Sequence, residues 1–303
     1  MLAIIIPYYK LTFFEATLAS LASQTDKRFK VYIGDDASPE DCTILLEMHK
    51  GQFDFVYQRF ENNLGSASLV KQWERCIALS RDEEWLMVLG DDDVLGDNVI
   101  EEFYNNFIFF NTISNVVRFS TKLIFENSGL ITKSYINPVW ESPTDAFYRK
   151  FIGETHSSLS EYIFSKKSFQ KYRFYDYPLA WNSDDRAWLD FSDNLPIYAI
   201  NTSTVYIRIS DFNISGQKDN MLLKNHSKIK FYAYLLKNKQ KFYNGKQRIK
   251  ILRRYMQEIR KFRKISFFEW IELVRFCFKN FEIEFWKILV THFLSKLKTN
   301  GEK

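Results

Sequence analysis

Four short apolar runs alternate with stretches of helical spacing inside the first hundred residues, and no other feature of the chain limits its fold as much. The runs are LAIIIP at residues 2–7, FKVYI at 29–33, FDFVYQ at 53–58 and WLMVL at 85–89. Apolar runs of this length, bounded by turn residues, read as strands. Between them, Phe14, Leu18 and Leu21 fall on one face of a helix over residues 14–24, and further helices are expected over 41–49 and 68–80 and from near Asp97. Strands that alternate with helices pair in parallel through crossovers and carry helices on both faces of the sheet. The β-branched first run reads as a central strand. The expected fold class is α/β: a mostly parallel sheet with helices on both faces, followed by a C-terminal helical extension.

Parallel strands bring their C-terminal ends to one edge, and open α/β sheets bind ligands there. Two of the runs end in acid at that edge. VYIGDDASPED supplies Asp35 and Asp36, and MVLGDDDVL supplies Asp91, Asp92 and Asp93. Consecutive carboxylates repel one another unless a cation sits among them, and hard oxygen ligands suit Mg²⁺ or Mn²⁺. A solvated loop or a helix cap explains either cluster alone. Two clusters on one edge weigh against that explanation.

The 303 residues correspond to one large domain or a domain with an appendage. No glycine-rich phosphate loop of the Walker or G-x-G-x-x-G kind is present, which sets aside those nucleotide-binding classes. Cys42, Cys76 and Cys277 are far apart and odd in number, which fits a reducing compartment rather than a zinc cluster or a disulfide framework. MLAIIIPYYK breaks at Pro7 and lacks the basic start of a secretory signal. No window approaches the ~18 to 20 apolar residues of a membrane span. A cytoplasmic protein is expected.

IIIPYY, LASLASQT, VYIGDDASPED, ENNLGSASL and MVLGDDDVL, in this order and spacing, resemble the nucleotide-binding half of family-2 glycosyltransferases with the GT-A fold. The resemblance covers about the first hundred residues, and its motifs are specific as a set. It implies an inverting, bacterial-type transferase of polysaccharide biosynthesis that uses a nucleotide-diphospho-sugar, with a UDP-sugar first, and Mn²⁺ or Mg²⁺. By the same resemblance Pro7, Tyr8 and Tyr9 pack the nucleobase, and Asp36 accepts from the uracil N3–H with Asp35 beside it. Asp91 and Asp93 form the D-x-D, with Asp93 the direct metal ligand, while Asp92 faces the ribose or the diphosphate. The family commonly has an aspartate where Gly90 stands, so whether Asp91 or Asp92 contacts the nucleotide stays open. The chemistry agrees with such a site, because a metal bridging both phosphates stabilises the leaving group as a Lewis acid and a template.

Farther along, strands are expected at 116–119, 122–125 and 161–164, a loop and short helix over 137–150, a helix over 166–172, and a closing strand pair over 197–209. PLAWNSDDRAWLDFS at 178–192 is the next chemical feature. An inverting displacement needs a base for the acceptor hydroxyl. In the resembling family an acidic pair opens a helix in the second half and its second member is the base, which implies Asp185, with Asp184 the alternative. Helix capping by Ser183 or Asp184 is the plainer use of these residues. Arg208 suits the diphosphate, with a surface role equally open. Should neither aspartate serve, Glu154, His156 and Glu161 come next, although a lone histidine is more often structural.

The net charge of +5 hides an asymmetry: 21 Lys and Arg face 6 Asp and Glu from residue 221 onward, against 21 and 31 before it. The expected organisation is a catalytic domain over 1–220, with a nucleotide-sugar half at 1–100 and an acceptor half at 101–220, and a basic amphipathic helical extension over 221–303. Ile249, Leu252, Met256 and Ile259 keep helical spacing in the extension, and Phe267, Val274, Phe278, Phe281, Phe285, Ile288 and Leu289 continue it. Packing on the catalytic domain and attachment to an anionic membrane are both compatible with this pattern. Nucleic-acid binding is discounted because no such motif appears. The expected partners are the nucleotide-sugar donor and a glycan or lipid-linked acceptor, with the inner membrane face as a peripheral site. The competing functions are a non-catalytic sugar-nucleotide-binding scaffold, or a sugar nucleotidyltransferase. The latter needs a glycine-rich, arginine-bearing loop where this chain has Pro7-Tyr8-Tyr9-Lys10.

Overall fold

The β-branched run at the start becomes β1 (Leu2–Tyr8), pairing in parallel with β2 (Phe29–Asp35) on one side and β4 (Trp85–Val88) on the other. Its side chains alternate between two cores, with Leu2, Ile4, Ile6 and Tyr8 in one and Ala3 and Ile5 in the other. Both sets are buried, as a central strand requires. Pro7 has no N–H to give, and it lies beyond the last β1–β4 pair, Ile5 with Val88. The computed structural model describes residues 1–211, 213, 216 and 220–280, the side chains of 277, 279 and 280 excepted. The expectations for Cys277, Phe281, Phe285, Ile288 and Leu289 lie outside the described residues.

The sheet runs in the order β3-β2-β1-β4-β9-β6-β10-β5, where β3 is Asp54–Arg59, β5 Val94–Leu95, β6 Val116–Phe125, β9 Tyr162–Ser165 and β10 Ile197–Ile209. Two short strands complete it, β7 (Leu130–Ile131) on β6 and β8 (Trp140–Glu141) on β10. One core receives α1 (Phe14–Ala22), α2 (Thr43–Met48) and α4 (Val99–Phe110) through Leu18, Leu46 and Phe103. The opposite core receives α3 (Leu69–Ile77), α5 (Pro143–Phe151), α6 (Lys166–Tyr172) and α7 (Ser183–Phe191) through Ile77, Ala146, Phe169 and Trp188. Helices therefore cover both faces, as the alternation of the first hundred residues demands.

Three details differ from the sequence reading. The two short strands expected at 116–125 are one unbroken strand, β6. The closing pair expected at 197–209 is likewise one strand, β10, whose register against β6 shifts between Ile200 and Thr204. A bulge absorbs extra residues while the pairing continues on both sides. β9 runs antiparallel between β4 and β6. Its N-terminal end therefore meets the C-terminal end of β4, and this reversal shapes the site.

The chain divides into two compact units, Met1–Asn220 and Met221–Lys303. The second contains α8 (Met221–Tyr234), α9 (Gly245–Arg260) and α10 (Phe267–Asn280). Asn244 and Gln247 form a capping box at the start of α9. Asn225 of α8 donates to the backbone oxygen of Glu258 at 2.9 Å and to its carboxylate at 3.0 Å, which locks α8 to α9. No helix among the described residues is long and apolar enough to cross a membrane.

Candidate active site

The three aspartates after β4 make different contacts. Asp91 Oδ2 accepts from the backbone N–H groups of Tyr9 and Lys10, each at 2.8 Å, and so ties the end of β4 to the end of β1. Asp93 is buried and fixed on both sides: Oδ1 accepts from the Arg208 N–H at 2.9 Å and Oδ2 from Ser160 Oγ at 2.5 Å. Ser160 lies just before β9, and its Oγ also accepts from the Gly90 N–H at 3.0 Å. Asp92 is half-buried, and among the described residues its carboxylate receives nothing beyond its own backbone N–H.

Burial pushes all three carboxyls up. Asp93 reaches about 6, despite the hydrogen bonds from Ser160 and Arg208 that pull it down. Asp92 lies well above the usual range, through burial first and then repulsion from Asp93 and Asp91. The Arg208 guanidinium does little to offset this. Its Nη1 pairs with Glu126 at 2.6 Å, its Nε donates to the Asp92 backbone oxygen at 3.0 Å, and it lies 4.3 Å over the Phe13 ring. A side chain at Gly90 would bring its Cβ to 2.8 Å from Asp92 Oδ1 and 3.0 Å from Asp93 Oδ2. Both carboxylates thus converge on the space beside Gly90.

Among the described residues no three His, Cys, Asp or Glu side chains gather to cage a metal ion. The donor set fits a different arrangement. Mg²⁺ and Mn²⁺ are commonly held by one or two carboxylates, with substrate phosphates and water completing the shell. The Lys10 charge lowers the proton affinity of Asp92 and Asp91, but burial and mutual repulsion outweigh it at Asp92, and the converging Asp92 and Asp93 suit such a shared cation.

On the nucleotide side, Asp35 is fully buried and spends its oxygens on the Ser38 N–H at 2.8 Å, the Tyr57 hydroxyl at 2.6 Å and Arg59 at 2.7 Å. Asp36 accepts from the N–H groups of Leu64 and Gly65, at 2.7 and 2.8 Å, and from Arg75 at 2.6 Å. It thereby shapes the loop before α3. Tyr8, one of three residues expected against the nucleobase, is instead wholly in the core, 4.7 Å from the Phe14 ring. Strand alternation turns it inward and leaves Pro7 and Tyr9 at the surface of that edge.

The acidic pair at the start of α7 divides similarly. Asp185 is buried; its Oδ1 accepts from Lys150 Nζ at 2.6 Å and its Oδ2 from Asn182 Nδ2 at 2.7 Å. Asp184 is half-buried, and among the described residues no other side chain donates to it. Burial and the neighbouring Asp185 charge push its carboxyl up to about 7. Glu161, fully buried and held by the Ser158 N–H and hydroxyl, repels both Asp93 and Asp184 and so links the two acidic groups electrostatically. Trp188 of α7 donates to the Ser158 backbone oxygen at 3.1 Å and stacks on Tyr162 at 4.1 Å, which holds α7 against the start of β9. His156 is half-buried and its proton affinity is lowered, chiefly by burial. Glu154 is exposed and turned to Arg149.

Sequence reasoning missed Ser160, Lys150 and Asn182 as site residues. Ser160 sits in a serine-rich stretch and Lys150 in the last turn of a helix, where a lysine ordinarily meets solvent. Only the antiparallel entry of β9 and the approach of α5 to α7 give them their places.

The family model described as Glycosyl transferase family 2 matches residues 3–172. No curated protein sequence matches the chain. Among solved structures the chain is similar to S. aureus TarS 1-349 in complex with UDP-GlcNAc, with a TM-score of 0.64 and 14% identity, over 91% of this chain and 79% of that one. The same fragment in complex with UDP gives a TM-score of 0.61 at 15% identity, over the same shares of each chain. Against the longer S. aureus TarS structure the values are 0.61 and 15%, covering 91% of this chain and 48% of that one. At these identities the likeness is one of fold.

Proposed function

The chain belongs to glycosyl transferase family 2 and is a glycosyltransferase, and on that premise we propose that it moves a sugar, with inversion, from a UDP-sugar to a hydroxyl of a glycan or lipid-linked acceptor. A UDP-N-acetylhexosamine is the first donor to try, because the similar TarS structure is a complex with UDP-GlcNAc. The donor lies along the edge formed by Tyr9, the Asp36 loop and Asp91 to Asp93. Asp91, expected with Asp93 on the metal, is instead spent on the Tyr9 and Lys10 backbone N–H groups, so Asp92 and Asp93 would hold a divalent cation with the diphosphate. When bound, that cation stabilises the charge of the leaving phosphate. Asp184, the alternative to the expected Asp185, takes the acceptor's hydroxyl proton as the acceptor oxygen bonds to the anomeric carbon and the bond to the diphosphate breaks, because both Asp185 oxygens are already bonded to Lys150 and Asn182. The Met221–Lys303 unit attaches the enzyme to the anionic inner face of a membrane.

One observation carries this reading: the Asp92 and Asp93 carboxylates converge beside Gly90 at the end of β4, and half-buried Asp184, its carboxyl pushed up by burial and by Asp185, stands within the field of the same Glu161 that repels Asp93. A general base works best with a proton affinity near the working pH. Calorimetry with UDP-, GDP- and dTDP-sugars, with and without Mn²⁺, is the test. The expected result is Mn²⁺-dependent binding of a UDP-sugar that Asp92→Asn weakens. A folded protein that binds none of the panel under either condition overturns the proposal.

A further inference from the structure

Lys150 lies outside every motif that marks the site, yet it is the cation at the centre of the acidic pair. It comes from the last turn of α5, and its Nζ lies 2.6 Å from Asp185 Oδ1. The Asp185 side chain is 3% exposed, so the pair is shielded from water on the carboxylate side. A buried carboxylate requires such a partner or gives up its charge. The second oxygen of Asp185 is held by Asn182, whose backbone takes the left-handed φ of 69°. Leu179 and Ala180, just before it, also have positive φ, 58° and 52°. Non-glycine residues keep such conformations only where their surroundings enforce them, and these sites cluster where function needs them. Ser183 adds to the enforcement by donating to the Tyr175 backbone oxygen at 2.7 Å. Asp185 is thus gripped from α5 and from a strained turn, while Asp184 beside it is left available.

Resting on the reading of the acidic pair given above, we propose that Lys150 is a positioning residue: by gripping the Asp185 carboxylate from α5 it leaves Asp184 as the carboxylate that meets the acceptor. The groups facing Asp184 are few enough to name. Asp185 on its own helix and Glu161 ahead of β9 raise its proton affinity, and Lys150 from α5 lowers it. His156, in the loop between α5 and β9, lies within the fields of Asp185, Lys150, Glu161 and Arg118, and burial keeps it short of protons. The Lys150 ammonium itself is held protonated: burial opposes its charge, and Asp185 and Asp184 more than offset that. If Lys150 were only a strut, replacing it would alter stability and leave the titration of Asp184 where it is.

The test reads that titration directly, on the full chain and without an acceptor. The aspartate Cγ carbons are labelled with ¹³C and followed by NMR from about pH 5 to 9, with Asp184 and Asp185 assigned by the signals lost in Asp184→Asn and Asp185→Asn. In the wild-type protein Asp184 should titrate near 7. Lys150→Gln should raise the Asp184 midpoint by roughly 1 to 3 units, the usual effect of losing a nearby opposite charge. Lys150→Arg should restore it. Asp185→Asn should lower it, because a like charge is gone and Lys150 remains. An Asp184 midpoint unmoved in folded Lys150→Gln overturns the proposal. If that variant does not fold, an unmoved midpoint in Asp185→Asn does the same. Calorimetry of the wild type with UDP-GlcNAc separates the two claims. Donor binding with an unmoved midpoint removes only the role of Lys150, whereas the shifts without any sugar-nucleotide binding remove the transferase reading and leave the ion pair's effect intact.

Discussion

Asp184 and Asp185 are adjacent and chemically identical, and their contacts give them opposite tasks. A carboxylate already bonded to an ammonium and an amide has little basicity left for a hydroxyl proton, and Asp185 is in that state. Asp184→Asn should therefore lower turnover by roughly 10² to 10⁴ while donor affinity stays the same. Asp185→Asn should cost less turnover and more melting temperature, since it leaves Lys150 without its partner. The pH profile follows from the same residue. A base must be ionised to act, so turnover should rise with pH through about 7. Stability runs the other way. The unfolded carboxyl loses its proton near ~3.9 and the folded one only near 7, so this group's contribution is complete below ~4 and fades as pH rises to about 7. Asp184→Asn should flatten the fall in melting temperature across that window. Gly90 supplies a steric test. Gly90→Ala places a Cβ against Asp92 and Asp93, and because Asp93 is pinned on both sides it is Asp92 that must turn. Calorimetry should show weaker Mn²⁺-dependent donor binding with little change in melting temperature. An unaltered Mn²⁺ dependence would remove Asp92 from the metal role.

At the level of elements, the part of the fold that repeats was legible and the part that reverses was not. Strand and helix periods mark β1 to β4 and the helices between them because β1, β2 and β4 are buried on both faces and each helix has one apolar side. From the same pattern came the acidic strand ends, since parallel strands share an edge. Tyr8 lies in the core because strand alternation continues through Pro7 to the end of β1. Nothing in a four-residue run such as YIFS tells which way β9 points, and its antiparallel entry brings Ser160 and Glu161 to the aspartates. Nor does a lysine at a helix end announce a buried partner thirty-five residues on. β9 therefore offers its own prediction. Ser160→Ala removes the donor to Asp93 Oδ2 and the acceptor for the Gly90 N–H, at a cost of about 1 to 3 kcal/mol for buried groups left unpaired. Donor binding should weaken together with stability, whereas Ser160→Thr, which keeps the hydroxyl, should recover both. A variant with normal stability and normal donor affinity would show that β9 does not support the site.

Taken whole, the molecule separates its charge by unit: residues 1–220 carry 21 basic and 31 acidic side chains, and the remainder carries 21 and 6. A unit of that charge repels copies of itself and is drawn to anionic surfaces. On α9, Lys246, Lys250, Arg253 and Arg260 are exposed at helical spacing; in the turn that follows Phe262 is 47% exposed, and at the start of α10 Phe267 and Phe268 are exposed by 74% and 78%. Basic residues around projecting aromatics are the composition of a helix that lies in a membrane interface. No helix among the described residues of this unit is long and apolar enough to cross a bilayer. Full-length protein should sediment with phosphatidylglycerol vesicles at low salt and hardly at all with phosphatidylcholine. The electrostatic part should vanish toward 1 M salt, where screening acts within about 3 Å. Two sets of variants divide the effect. Lys246→Gln with Arg253→Gln should shift binding to lower salt, and Phe267→Ser with Phe268→Ser should weaken it at every salt concentration. Protein that stays in solution with anionic vesicles at low salt, or that binds equally well without the two phenylalanines, would leave the basic unit without this role.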